Sequence, residues 1–302
     1  MRAVIIGAVE STQVALEAMG RASGWEPALV LTLHPELASR HSDFVDLAPV
    51  AERAGAVFRT VRNINDPDAI GYLREAKPDY LFIIGWSQIC GADVMGCAPG
   101  RVVGYHPAAL PRQRGRAAIP WTILNREPIT AGSLFWIDDG VDTGAILDQQ
   151  YFHVAPTETA ASLYAKHMAA LATMFDRSLA ALAAGTERRD VQDEALATWC
   201  AKRTADDGLI DWEQSARDID RLVRAVGHPY PGAFTSCRQD RLFIWSAHVM
   251  PGDRHAGTVG QVVSRDDSGF AVMCGDGHLL QVTEWSSETM RPPALHQRIG
   301  TP

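Results

Sequence analysis

Val4-Ile-Ile-Gly7 is an uninterrupted apolar run closed by a glycine, and behind it Ser11 to Ala22 places Ala15, Ala18, Met19 and Ala22 at helical spacing. Ser11 or Thr12 can cap that helix. A strand without polar alternation is buried on both faces, so this β-turn-α opening predicts a parallel sheet covered by helices. The pattern recurs. Ala28-Leu-Val-Leu-Thr32 repeats the strand signal, Asp46 to Ala54 the helical one, and Tyr80-Leu-Phe-Ile-Ile84 follows the breaker Lys77-Pro-Asp79. Strands alternating with helices imply an α/β fold with a doubly wound, Rossmann-like parallel sheet. Gly7-Ala-Val-Glu-Ser11 lacks the G-x-G-x-x-G spacing, which argues against a dinucleotide site.

Further along, Val102-Val103 and Gly132-Ser-Leu-Phe-Trp-Ile137 continue the sheet. A helix is expected from Glu158 to Ala184, with Leu163, His167, Leu171, Met174, Phe175 and Leu179 along one face. His167 reads there as a core or surface histidine. From Glu187 the texture changes to charged and Thr-rich. Short strand-like runs then appear at Phe243-Ile-Trp245, Gly260-Gln-Val-Val263, Phe270-Ala-Val-Met273 and Leu279-Leu-Gln-Val282, punctuated by Gly and Asp. These predict a small C-terminal β-barrel, OB-like. The expected organisation is a first domain over 1–186, a linker over 187–207 and a β-rich domain over 208–302.

The bulk properties bound the function. A chain of 302 residues with 46% hydrophobic content can bury a full α/β core and a smaller companion domain. A net charge of −8 argues against a broad nucleic-acid footprint and favours a small or medium-sized substrate. Five cysteines without C-x-x-C pairing suggest neither a disulfide framework nor a thiolate zinc site, and fit a reducing cytoplasm. The apolar run at the start is too short for a signal peptide, and no stretch approaches the roughly 18 apolar residues of a membrane span.

Two loops carry the chemistry. In Gly104-Tyr-His-Pro-Ala-Ala-Leu-Pro-Arg-Gln-Arg-Gly-Arg116 a single histidine leaves a strand end and enters a loop made rigid by Pro107, Pro111 and Gly115. Ile137-Asp-Asp-Gly-Val-Asp-Thr-Gly144 is an acidic loop that could set a carboxylate against that histidine, making an acid-base pair. Each half alone is also a common polar turn.

Together, in this order and in this fold, the pieces resemble the folate-dependent formyltransferase family. Its pattern is Asn-x-His, a Leu-Pro loop with Arg-Gly, and a (Leu/Val)-Asp-(Thr/Ala)-Gly loop. Here these stand as Gly104-Tyr-His106, Leu110-Pro111, Arg114-Gly115 and Val141-Asp142-Thr143-Gly144. Lys202-Arg-Thr-Ala-Asp-Asp-Gly-Leu-Ile-Asp-Trp212 and Arg224-Ala-Val-Gly-His-Pro-Tyr-Pro-Gly-Ala-Phe234 also look like the start of the C-terminal domain in methionyl-tRNA and sugar-nucleotide formyltransferases.

The resemblance implies that residues 1–186 form a formyltransferase catalytic domain using 10-formyltetrahydrofolate, without a metal. His106 and Asp142 would be catalytic. A protonated His106 would donate to the oxyanion that develops as an amine attacks the formyl carbon. Asp142 would orient the ring, favour its charged form and accept the amine's proton through water. The pteridine would lie between Gly85, Trp86, Ser87, Gln88 and Ile89 on one side and Asp138, Asp139, Gly140, Val141 and Asp142 on the other. Trp86 reads equally as a core aromatic. Arg112, Arg114 and Arg116 suit a substrate phosphate or carboxylate, with a solvated loop as the alternative. Glu10 either faces the acceptor pocket or sits in a solvated turn. The segment Arg40-His-Ser-Asp43 is short and mixed in charge where the tRNA-acting enzymes are expected to carry a basic insertion.

One position departs from the pattern. The family's Asn, which helps hold the formyl oxygen, corresponds to Gly104. Losing one such donor costs on the order of a hundredfold in turnover, and Gln88, Ser87 or a backbone N–H are the candidate substitutes. A small amine such as an amino-sugar nucleotide is favoured as acceptor over initiator methionyl-tRNA because the chain lacks net positive charge. Three rival readings stay open: a 10-formyltetrahydrofolate-binding protein that has lost turnover, a hydrolase that releases formate, and methionyl-tRNA formyltransferase itself. Retention of both His106 and Asp142 speaks against the first. The apolar strands of the C-terminal domain could pair across a homodimer.

Overall fold

The computed structural model describes residues 1–40, 43–238, 240–251, 254–267 and 269–300. His41 and Ser42, in the short segment noted above, lie outside the described residues. The chain divides into two compact units. One comprises Met1–Ala118, Ile129–His153 and Tyr164–Ala201, and the other Ile119–Pro128, Val154–Leu163 and Lys202–Pro302. The second unit thus takes in two short segments that interrupt the first unit's stretch of chain.

In chain order, β1 (Arg2–Ile6), α1 (Glu10–Arg21), β2 (Glu26–Leu33), α2 (Ala48–Arg53), β3 (Val57–Val61), α3 (Pro67–Ala76), β4 (Tyr80–Ile83), α4 (Ala92–Met95) and β5 (Val102–His106) build the β-α alternation read from the sequence. There follow β6 (Arg114–Gly115), α5 (Ala118–Leu124), β7 (Ile129–Trp136), β8 (Ile146–His153), α6 (Ala160–Ala184) and β9 (Trp199–Cys200). The main sheet has the order β3-β2-β1-β4-β5-β7-β8. Successive residues of β1 serve opposite cores. Ala3 and Ile5 join Leu16, Met19, Leu171 and Phe175 on one face. Val4 and Ile6 join Leu73, Val94 and Val102 on the other. This double burial is why the strand sequence shows no polar alternation.

The sheet is mixed, where the sequence predicted a parallel one. β1 to β5 pair in parallel, but β7 is antiparallel to β5 and β8 antiparallel to β7. The register gives the reason. Ser133 lies opposite His106, the last residue of β5, so β7 begins just beyond the point where β5 ends. The chain re-enters the sheet at the end where β5 left it, without crossing to the far end, and so runs antiparallel.

His167 of α6 is fully buried, which settles it as a core histidine. Its Nδ1 lies 3.1 Å from the Tyr105 hydroxyl, and its ring meets Phe152 edge-on at 4.9 Å. Burial, assisted by the charge of His106, pushes its pKa down to about 3. In the unfolded chain the value returns to about 6.5. The native state therefore holds this ring neutral while the unfolded state gains a proton below pH 6.5, so stability is complete above about pH 6.5 and is lost as pH falls toward 3. At pH 4.5 this group accounts for a loss on the order of 2–3 kcal/mol relative to pH 7. Urea melts at both pH values, on wild type and on His167→Leu, measure it. The wild type should lose more stability than the variant on acidification, and equal losses would contradict the assignment.

In the second unit, α7 (Ala216–Val226) is capped by Ser215, whose side chain accepts the Asp218 amide hydrogen, and buries Ile219, Val223 and Val226. The strands β10 (Ala233–Cys237), β11 (Asp240–Met250), β12 (Val262–Asp266), β13 (Gly269–Met273) and β14 (Leu279–Ser287) are all antiparallel, in the order β10-β11-β14-β13-β12. Among the described residues no ladder joins β10 to β12. The described strands form a five-stranded antiparallel sheet. Among the described residues no helix is long and apolar enough to cross a membrane.

Candidate active site

Three loops of the first unit build the site. The first follows β4. Gly85 sits at φ 69°, in the left-handed region, and a Cβ there would lie 2.3 Å from Val9 Cγ2. The chain therefore turns sharply against the start of α1, where Thr12 Oγ1 donates to the Ile84 carbonyl at 2.6 Å. Gln88 is committed at both ends, accepting from Ile64 N (2.9 Å) and donating to Arg62 O (2.9 Å). Asn65 holds the far side of the loop through Ile89 O (2.9 Å) and Gly91 N (2.7 Å). Trp86 packs against the core that contains Ile83 and Val94, with Nε1 buried and without a hydrogen-bond partner among the described residues. Ser87 is exposed, and Ile89 is 84% exposed.

The second loop is the acidic turn after β7. Asp138 Oδ1 accepts from Gly140 N (3.1 Å) and Thr143 Oγ1 (2.6 Å), closing the turn on itself. Asp139 and Gly140 are exposed, as is Val141 at 59%. Asp142 adopts φ 56°, a conformation that Asp tolerates better than most residues. That geometry aims its carboxylate back at the third loop, where Oδ2 accepts the Gly115 amide hydrogen at 2.8 Å.

His106 ends β5 beneath that third loop, with a side chain only 7% exposed. Its Nε2 lies 2.7 Å from the Gln113 carbonyl oxygen. A carbonyl only accepts, which assigns a hydrogen to Nε2. Nδ1 faces Asp142 Oδ2 at 3.5 Å, and the carboxylate is 17% exposed. This is ion-pair range when Nδ1 carries a proton, and longer than a tight hydrogen bond. The ring thus has a carboxylate on one side and an exchangeable carbonyl partner on the other, an arrangement able to hold and pass a proton.

Gly104 shares the His106 face of β5, two residues away. A Cβ there would lie 2.9 Å from Phe135 Cζ and 3.1 Å from Ile137 Cδ1. The space a longer side chain would enter is occupied by aromatic and aliphatic carbon. Gly104→Asn is expected to cost about 1–2 kcal/mol of stability and not to raise turnover. Adding Phe135→Ala should make the double variant turn over faster than Gly104→Asn alone. Steady-state rates of the three proteins check this, and a single variant faster than wild type would contradict it.

The arginines of the third loop separate. Arg112 and Arg116 are exposed, whereas the Arg114 side chain is fully buried. Arg114 makes a bidentate pair with Glu194 (2.6 and 2.9 Å) and two bonds to Gln192 Oε1 (2.8 and 3.2 Å). This pairing holds the Glu194 carboxyl below its usual range and raises the arginine. Arg114 therefore braces the site from within, leaving Arg112 and Arg116 as the arginines at the surface. Glu10 is exposed at the first position of α1 and makes no ion pair among the described residues. The residues sequence reading passed over are Asn65, Gln192 and Glu194, whose roles come from long-range contacts.

A separate cavity of about 400 Å³ lies within the second unit, lined by the Arg-rich face of α7. Its charges are largely compensated, since Arg126 and Arg221 pair with Asp218 and Arg224 with Asp220. Among the described residues no group of three or more His, Cys, Asp or Glu side chains is placed to hold a metal ion.

The family model described as formyl transferase matches residues 1–177, and the one described as formyl transferase, C-terminal domain, matches residues 202–297. Among solved structures, an N-formyltransferase from Helicobacter canadensis, in complex with folinic acid and dTDP-3-aminofucose, superposes with a TM-score of 0.67 at 17% identity, covering 93% of this chain and 98% of that one. WlaRD, a sugar 3N-formyltransferase crystallised with dTDP and 5-N-formyl-THF, gives a TM-score of 0.67 at 16% identity over 94% of this chain and 97% of that one. HypX from Aquifex aeolicus, in complex with tetrahydrofolic acid, gives 0.67 at 17% identity, covering 95% of this chain and 44% of that one.

Proposed function

Because this chain belongs to the formyl transferase family, we propose that it moves a formyl group from 10-formyltetrahydrofolate onto the amine of a small acceptor, an amino-sugar nucleotide. The observation that carries this reading is the sheltered His106–Asp142 pair, 3.5 Å apart and fixed from both sides by the Gln113 carbonyl and the Gly115 amide.

The residues present fit a flat, partly apolar ring with polar edges. Ile89 and Val141 stand in solvent on the two loops, where apolar side chains gain nothing until covered. The Trp86 indole N–H is buried without an acceptor among the described residues. Gly85, Trp86, Ser87, Gln88 and Ile89 would form one wall and Asp138, Asp139, Gly140 and Val141 the other. Gln88 serves by holding its own loop in place, since both ends of its amide are spent on backbone. The bound folate supplies the activated formyl carbon. His106 provides the hydrogen that meets negative charge building on the formyl oxygen, exchanging its bond to Gln113 for that one at little net cost. Asp142 holds the ring and takes up the proton released by the amine, directly or through water.

The choice of acceptor rests on chemistry and likeness together. Net charge is −8, Arg112 and Arg116 are exposed beside the site, and of two similar structures one holds dTDP-3-aminofucose and the other dTDP. Exposed guanidinium groups suit a diphosphate. An acidic chain suits initiator tRNA poorly. Five free thiols are consistent with work in the cytoplasm. A second reading, hydrolysis with release of formate, is favoured by one feature: Phe135 and Ile137 crowd the position of the missing Asn donor at Gly104.

Incubating the protein with 10-formyltetrahydrofolate and a panel of amino-sugar nucleotides, small amines and charged initiator tRNA tests the proposal. An N-formyl product with one amino-sugar nucleotide is expected. Product with the tRNA alone, or formate regardless of acceptor, would overturn the acceptor assignment.

A further inference from the structure

Gln192 lies in the connector after α6, outside both motif loops, yet it is only 7% exposed and uses its whole carboxamide. Oε1 accepts from Arg114 Nη2 (2.8 Å) and Nε (3.2 Å). Nε2 donates to the Asp142 carbonyl (2.8 Å) and the Gly144 carbonyl (2.7 Å). One side chain therefore joins the buried guanidinium of β6 to the two carbonyls that flank Thr143. The neighbouring residue of β6, Gly115, holds the Asp142 carboxylate through its amide. The acidic turn is thus tied to β6 twice, once by its backbone and once by its reacting group. Asp142 needs such support, because its left-handed backbone is uphill for a residue with a side chain.

We propose that Gln192 is a positioning residue for formyl transfer. It sets the Asp142 backbone so that one carboxylate oxygen serves the Gly115 amide and the His106 ring together. The inference rests on His106 and Asp142 being the reacting pair. Only an uncharged amide meets the requirement, since one end must accept from a guanidinium while the other donates to two carbonyls.

Gln192→Glu separates the two halves of that role. It keeps and strengthens the acceptor for Arg114, but turns a carboxylate oxygen toward the carbonyls of Asp142 and Gly144. Three measurements on the full chain test it: the thermal midpoint, amide hydrogen exchange at Gly115, and kcat with the acceptor KM. The variant should melt cooperatively within a few degrees of wild type. Its Gly115 amide should exchange roughly tenfold faster or more. Its kcat should fall by about 10–100-fold, with acceptor KM changed less than about threefold. A purely structural role would move stability and leave kcat alone. Gly115 exchange at the wild-type rate overturns the proposal, as does faster exchange with kcat unchanged. Should the glutamate variant not fold, Gln192→Met is measured in the same way and judged by the same outcomes. If wild type transfers no formyl group to any amine, the transfer reading fails by itself. Gly115 exchange then still decides whether Gln192 holds the turn.

Discussion

His106→Ala lowers kcat for formyl transfer by about 10³-fold, and Asp142→Asn by about 10²-fold or more, with folate affinity changed far less. The asymmetry follows from what each group touches. His106 presents a ring hydrogen that can leave a backbone carbonyl for a substrate oxygen, and Gly104, crowded by Phe135, carries no side-chain donor to share that role. Removing the ring removes the proton relay and the oxyanion contact together. Asn at 142 can still accept from the Gly115 amide, so the turn survives. What it loses is the charge beside Nδ1 and the ability to take up a proton. Single-turnover rates at saturating folate, with folate affinity measured separately, check both values. An alanine variant within tenfold of wild type would place the chemistry elsewhere.

The largest expected effect on stability comes from Gly144→Ala. A Cβ at this position would lie 1.6 Å from the Trp136 carbonyl oxygen, inside backbone that cannot swing aside. The Gly144 carbonyl meanwhile anchors Gln192. The whole acidic turn must move to admit one methyl group, at a cost of about 3 kcal/mol or more. Catalysis should fall with it, since the displaced turn carries Asp142. An unfolding free energy from urea melts within about 0.5 kcal/mol of wild type, the usual range for neutral surface changes, would contradict this close approach.

Much of this architecture was legible because burial writes itself into strand composition. Val4-Ile-Ile and Tyr80-Leu-Phe-Ile-Ile84 face cores on both sides and carry no polar interruptions. Strand direction leaves no such mark. The apolar run that became β7 reads the same in either orientation, and its direction is set by where the chain re-enters the sheet, with Ser133 opposite the end of β5 at His106. At the site, the two motif loops were visible and do meet, at His106 and Asp142. In sequence Arg114 is indistinguishable from Arg112 and Arg116, because charge in a Pro-rich loop suggests solvent or substrate. Its burial depends on Gln192 and Glu194, about 80 residues further along the chain. Interactions of that range have no local periodicity or spacing. His167 shows the converse: its place in a helical stripe of Leu, Met and Phe leaves core and surface both open, and the observed burial makes it core and accounts for its depressed pKa.

The most direct measurement is stoichiometry: tetrahydrofolate released against N-formyl acceptor formed, for the wild-type protein and 10-formyltetrahydrofolate with its best amino-sugar nucleotide. The account predicts equal amounts of the two products and no excess formate. Tetrahydrofolate accompanied by formate instead of N-formyl acceptor, or no tetrahydrofolate at all, would contradict it.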